Sequence, residues 1–299
     1  MGSTSPVNPQ PPLAYPVLAQ LAAAPFRLFR PAEPRGPFVF ASPHSGRLYP
    51  PSFLAASALS PLLLRRSEDA FVAELFDGVV GFGAPLLAAE FPRAYVDANR
   101  AATELDPTMF RGPLPLPLEV TSRVKAGLGV IAKVVRDGID IYRDKLDARE
   151  AGARLAHFYQ PYHAALAALV EQTRQRFGWA VVIDCHSMPS LPAVAEIVFG
   201  DCHGASLEAG LMRRIEAAFA AQGFATARNS PYAGGYTTHR YARRQAGVQA
   251  LQIEVNRSLY LDEETIQPKP GFAGVKGRLT AALRQVLALA PPQRSQAAE

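Results

Sequence analysis

The run from Trp179 to Asp184 (Trp179, Ala180, Val181, Val182, Ile183, Asp184) carries no charged side chain before its last position, and Cys185, His186 and Ser187 follow it directly. A short, β-branched apolar run of this kind reads as a strand buried on both faces. Such a strand needs helices above and below its sheet, so it restricts the chain to a layered α/β architecture. The 299 residues, 48% of them hydrophobic, suffice to build that core. Pro (27) and Gly (22) stay below the share that marks a low-complexity chain, so they belong to structured turns.

Helix and strand signals alternate along the chain. Residues 37–42 read as a strand and residues 84–89 as another. Between them, residues 68–80 (EDAFVAELFDGVV) place Phe71, Val72, Leu75, Phe76 and Val79 at helical spacing, with acidic residues in the first turn. Residues 93–99 (RAYVDAN) read as a short extended piece, and a proline-rich loop follows. A long helical region is expected over 138–177, broken or kinked near Pro161 and stopped by Gly178. Further strands are expected at 195–199 and 248–255, extended chain at 223–226, and helices at 206–221 and 273–289. Residues 229–239 (NSPYAGGYTTH) form a glycine-containing loop, which reads equally as an ordinary turn or as a lid. The chain reads as one domain over 13–290, with flexible tails at 1–12 and 291–299.

Composition excludes several roles. The net charge of +5 is spread along the chain without a basic block, which argues against nucleic acid and suits at most the attraction of a small anion. The apolar stretch 78–89 is too short to span a bilayer. The first basic residue is Arg27, so no secretory leader is expected, and with two cysteines, Cys185 and Cys202, a reducing cytoplasm is the simpler setting.

In open α/β sheets ligands gather at the carboxyl ends of strands. Three such ends carry ionisable groups here: Pro43-His44, Asp184-Cys185-His186 and Ile253-Glu254. Two neutral imidazoles, a carboxylate and one open position make a catalytic Zn²⁺ site. His44 and His186 supply the nitrogens, Glu68 or Asp69 the carboxylate, and Glu254 is left to act on water. Each residue also has a structural explanation: His44 as a turn residue, His186 as a core histidine, Glu68 and Asp69 as a helix start, and Glu254 as the ion-pair partner of Arg257 or Arg100. Asn99-Arg100 and Asn256-Arg257 each follow an extended run; two guanidinium groups beside a metal imply an anionic substrate.

Five separated segments, SPHSG, RAYVDANR, AVVIDCHSMPS, PYAGGYTTHRYA and LQIEVNRSLYLDEE, resemble in order and spacing the N-formylglutamate amidohydrolase family, over about residues 35–285. That family is similar in fold to zinc carboxypeptidases and aspartoacylase-type deacylases. The resemblance implies a three-layer α/β fold, a mixed central sheet flanked by helices, and one catalytic Zn²⁺. It implies that His44 and His186 are metal ligands, Glu254 the catalytic glutamate, and Asn99, Arg100 and Arg257 substrate contacts. Zinc carboxypeptidases place a glutamate ligand three residues after the first histidine, where this chain has Arg47. The family instead uses an acidic residue at the next helix start, which selects Asp69, with Glu68 as the alternative. Asp184 is expected to orient a ligand histidine. The implied reaction is hydrolysis of N-formyl-L-glutamate, or a similar small anionic N-acyl amino acid, to formate or another acid and the free amino acid. A deacylase or peptidase of the same fold acting on another substrate, and a metal-free protein that binds an acidic amino acid, are the rivals.

Overall fold

The strand expected at Trp179–Asp184 lies at the centre of a seven-stranded mixed sheet. It is seen in a computed structural model that describes residues 16–114, 117–135, 138–191 and 193–289. In chain order the strands are β1 (Phe26–Phe29), β2 (Phe38–Ser42), β3 (Leu86–Ala89), β4 (Ala180–Met188), β5 (Ile197–Gly200), β6 (Thr226–Arg228) and β7 (Val248–Asn256). Their order across the sheet is β1-β3-β2-β4-β7-β5-β6. The four central strands β3, β2, β4 and β7 run parallel, while β1 and β5 join antiparallel to β3 and β7. All four parallel strands therefore end on the same edge.

Helices α1 (Val72–Phe76), α2 (Ala148–Arg154), α3 (Gln160–Phe177), α4 (Ala209–Ala220), α5 (Tyr236–Tyr241) and α6 (Phe272–Leu287) flank it. From α3, Tyr162, Leu166, Leu169 and Val170 pack on Val39, Ala41, Val182 and Ala250. On the opposite face Leu211, Ile215 and Phe219 of α4 and Leu279 and Leu283 of α6 pack on Phe38, Val181, Ile183 and Leu251. Each fully buried side chain of this size contributes about 1.5–3 kcal/mol, so the two faces hold the layers together. The expected three-layer α/β architecture, a mixed sheet between helices, is the one observed.

The period-two alternation of a strand places the chemistry. On β4, Ala180 and Val182 face the α3 layer, and Asp184 and His186 continue that face. On β7, Val248 and Ala250 face the same way and are continued by Gln252 and Glu254. In register, Asp184 pairs with Gln252 and His186 with Glu254. Apolar side chains thus give way to polar ones on one face at one edge.

Several expectations are corrected. The helix expected over 68–80 begins only at Val72 and tightens into a 3-10 turn over Asp77–Phe82. Phe71 sits in the left-handed region at φ 63, and Glu68 and Asp69 lie in the loop before it, because the Asp69 N–H bonds to the His44 carbonyl instead of opening a helix. Residues 93–99 are turns, not extended chain: the Asp97 carboxylate accepts the Asn99 N–H at 2.8 Å, an Asx turn that competes with a strand. The long helical region starts at Ala148, capped by Asp147, and not at Gly138. A single π-turn over Leu155–Tyr159 precedes Pro161, which sits in the first turn of α3. The wider turn accommodates the missing proline N–H, so the helix continues where a break was expected. Gly178 closes α3 in the left-handed conformation at φ 79. The expected tails lie outside the described residues, among which no helix is long and apolar enough to cross a membrane.

Candidate active site

Four segments meet at the carboxyl edge of the parallel strands. After β2 the chain turns through Pro43 to His44, and Gly46 lets it pass against the end of β3, where a Cβ would overlap the Phe91 carbonyl. His186 lies inside β4, which extends beyond the expected strand end. The two imidazole rings are 4.8 Å apart between centroids. Asp69 Oδ2 is 2.9 Å from His186 Nδ1 and 3.3 Å from His44 Nδ1. His44, Asp69 and His186 thus form a group able to hold a metal ion, with donor atoms within 4.8 Å of one another. Glu68 points elsewhere: it accepts from Tyr49 Oη at 2.8 Å and Arg65 Nε at 3.1 Å. Burial raises its pKa.

Each imidazole is held from behind. His44 Nε2 lies 2.7 Å from Asp97 Oδ1, and Arg93 Nη2 donates to Asp97 Oδ2 at 2.8 Å. Burial opposes ionisation of Asp97, yet Arg93, His44 and Arg100 together hold its carboxyl well below the usual range. His186 Nε2 lies 2.9 Å from Asp184 Oδ2 and 3.1 Å from Asn99 Nδ2. Asn99 is oriented by its Oδ1, which accepts the Thr237 N–H at 2.7 Å. A Cβ on Gly235 would overlap the Asn99 amide, so the 229–240 loop closes directly on that side chain.

Asp69 is steered by its other oxygen. Oδ1 accepts from Arg257 Nη2 at 3.0 Å and Ser187 Oγ at 3.2 Å, which leaves Oδ2 for the imidazoles. Arg257 also donates to Ser187 Oγ and to the Glu68 and Arg66 carbonyls, so four of its five N–H donors are spent on protein acceptors. Glu254 stands across the ladder from His186 and accepts from Gln252 Nε2 at 2.7 Å. Burial pushes its carboxyl up to about 7, with His186 and Arg257 opposing and Asp69 and Asp184 adding.

These groups form the floor of a cavity of about 580 Å³, walled by Arg66, Arg100 and Arg123 and overhung by Tyr232 and Gly234. Of the residues singled out in the sequence, His44, Asp69, Asn99, Arg100, His186, Glu254 and Arg257 line it, whereas Glu68, Asp184 and Asn256 do not. Sequence reasoning missed Asp97, Ser187, Gln252 and Tyr49. Arg93 and Asp97 were legible as a four-residue spacing that brings opposite charges together in a turn, while Ser187 and Gln252 carry no signal outside the sheet register.

The comparisons with known proteins agree with this geometry. A family model described as N-formylglutamate amidohydrolase matches residues 36–261. The N-formylglutamate deformylase of Pseudomonas aeruginosa strain PAO1 is 28% identical over 239 residues, 77% of this chain and 84% of that relative. That of Pseudomonas putida is 26% identical over 204 residues, 65% of this chain and 71% of the relative. The crystal structure of N-formylglutamate amidohydrolase from Ralstonia eutropha JMP134 superposes with a TM-score of 0.81 at 37% identity, covering 88% of this chain and 96% of that one. With three quarters of its length matched, from before His44 to beyond Arg257, the chain belongs to the N-formylglutamate amidohydrolase family.

Proposed function

We propose that the chain is a Zn²⁺-dependent amidohydrolase that hydrolyses N-formyl-L-glutamate to formate and L-glutamate. The observation that carries this reading is the single carboxylate oxygen, Asp69 Oδ2, facing two imidazole Nδ1 atoms beside Glu254. The names of the relatives supply the substrate.

The residues present fit one divalent ion. Both oxygens of Asp184 are buried without a hydrogen bond, and His186 Nε2 is 2.9 Å from one of them. The Nε2 edge of His186 faces Asp184 and Asn99, which leaves Nδ1, on the Asp69 side, as its ligating atom. Asp97 likewise takes up Nε2 of His44 and leaves Nδ1 toward Asp69. Four buried carboxylates, Asp69, Asp97, Asp184 and Glu254, are opposed by the guanidinium groups of Arg93 and Arg257, so a divalent cation balances the cluster. His44, His186 and Asp69 would hold it, with an open position. When bound, such an ion activates water near neutral pH and polarises the amide carbonyl.

Glu254 takes a proton from the attacking water as oxygen bonds to the formyl carbon, and delivers it to the amide nitrogen as the C–N bond breaks. Burial keeps its proton affinity near neutrality, which suits both transfers. Gln252 aims its carboxylate. Asn99 and Arg100 bind the substrate from the side of His186. Arg257 acts chiefly through Asp69, and its Nη1 also lies 3.8 Å from Glu263 Oε2. The family set of substrate contacts is therefore divided between a direct and an indirect role.

The test is formate release from N-formyl-L-glutamate by the zinc-loaded protein. Glu254→Gln should lower kcat by about 10²–10⁴-fold with bound zinc unchanged by elemental analysis. Retained turnover in that variant, or full zinc occupancy after His186→Ala, refutes the assignment.

A further inference from the structure

Five arginines line the cavity: Arg66, Arg93, Arg100, Arg123 and Arg257. Two have carboxylate partners, Arg93 with Asp97 and Arg257 with Asp69. The rest are not neutralised this way. Among the described residues Arg100 donates only to neutral carbonyls, from Nε to Leu128 at 3.0 Å and from Nη1 to Asn99 at 2.9 Å, which leaves three of its five N–H groups. Among the described residues, the Arg123 guanidinium has neither a hydrogen bond nor an ion pair.

Glu104, an acid beside that wall, is already engaged. Glu104 accepts Thr121 Oγ1 at 2.7 Å through Oε1 and the Ala101 N–H at 3.0 Å through Oε2. Its carbonyl accepts the Val130 N–H, and the Arg123 carbonyl accepts the Leu128 N–H. These bonds tie the segment bearing Arg100 to the segment bearing Arg123. Two cations are thus fixed on one wall and repel each other. Burial, together with Arg93 and Arg123, makes the Arg100 guanidinium less basic than usual, with Asp97 and Glu104 only partly opposing. A carboxylate between two guanidinium groups relieves this repulsion and satisfies their planar donors.

We propose that Arg123 joins Arg100 in binding the side-chain carboxylate of the substrate, so that this pair selects N-acyl dicarboxylic amino acids. The inference deepens the proposed function and rests on its placement of the scissile amide. That amide must lie on the cavity floor beside Glu254 and Asp69. The α-carboxylate, two bonds from the amide nitrogen, stays near the floor. The side-chain carboxylate lies farther out, where Arg123 is exposed at the rim and Arg100 is partly buried below it. Arg66, whose buried Nε has no partner and whose carbonyl receives Arg257, stands on the Asp69 side and is left for the α-carboxylate.

The experiment compares N-formyl-L-glutamate with its neutral isostere N-formyl-L-glutamine in the zinc-loaded wild type and in Arg123→Gln. The variant should lose about 10- to 100-fold in kcat/KM on the glutamate substrate, mostly through KM, and less than about twofold on the glutamine substrate. Equal losses on both, or no loss on the first, overturn the assignment. Calorimetric titration with L-glutamate and L-glutamine provides a readout that does not depend on turnover. Arg123→Gln should abolish the preference for glutamate, and unchanged glutamate affinity overturns the proposal. A wild type that releases formate from neither substrate sinks the proposed function instead, while the titration still decides the role of Arg123.

Discussion

Protonation of His163 should destabilise the protein from within. The ring is 4% exposed and sits among Tyr159, Tyr162, Tyr236 and Tyr241. Nε2 donates to the Ala98 carbonyl at 2.9 Å, and Nδ1 lies 3.0 Å from Tyr241 Oη. Burial, reinforced by Arg240, depresses its pKa from 6.5 to about 4. Between these values the unfolded chain holds a proton that the folded chain does not. Stability is therefore full above about pH 6.5 and falls as the pH drops toward about 4, where the loss levels off. At 1.36 kcal/mol per unit the gap amounts to about 3 kcal/mol, a large share of the roughly 5–15 kcal/mol that keeps a protein folded. The assay is urea denaturation of the wild type and His163→Gln at half-unit intervals from pH 7 to pH 4. Glutamine keeps an N–H donor toward Ala98 but does not titrate. The variant should start about 1–2 kcal/mol less stable at pH 7, and the gap should close or reverse by pH 4.5. Taking the difference between the two proteins removes the contribution of the carboxylates that both share. Parallel curves across the whole range would refute the reasoning.

Two further outcomes follow from the site. Asp97→Asn weakens the acceptor behind His44 Nε2, so zinc affinity should fall about 10- to 100-fold, read by competition with a chromophoric chelator; an unchanged affinity would remove Asp97 from the site's support. Gly235→Ala drives a methyl group into the Asn99 amide, so kcat/KM should fall several-fold at little cost in melting temperature, whereas wild-type kinetics would show that the loop gives way freely.

The layers were legible because they rest on composition and period. The runs 37–42 and 179–183 are apolar on both faces, 248–255 keeps Leu251, Ile253 and Val255 on one, and nothing local competes with the strand there. Residues 68–71 and 93–99 were misread because long-range bonds outweigh their local pattern. Asp69 gives its N–H to His44, and Asp97 folds back on Asn99. Within the site, the histidines were visible as polar residues at apolar strand ends. The choice between Glu68 and Asp69 was not, since it turns on which of two adjacent carboxylates meets Ser187 and Arg257 and which meets Tyr49 and Arg65. The partners of Asp69 lie up to 188 positions away, and no window of sequence contains them.

Asp69 shows why the same edge serves both fold and chemistry. A carboxylate buried beside three others would protonate if left alone. Here Arg257 and Ser187 hold Oδ1 while His186 and His44 face Oδ2, and the two histidines outweigh burial, so Asp69 stays ionised far below the usual range. Arg257 comes from the turn after β7, Ser187 and His186 from β4, and His44 from the turn after β2, so the charge of Asp69 persists only while all three strands stay in register. The bonds that align the strand ends are the ones that keep this carboxylate negative. A slip of one residue in β4 would turn His186 to the opposite face and bring Ser187 in its place. The register that builds the core is therefore also what gathers the ligands of the proposed ion, and the two cannot be altered separately.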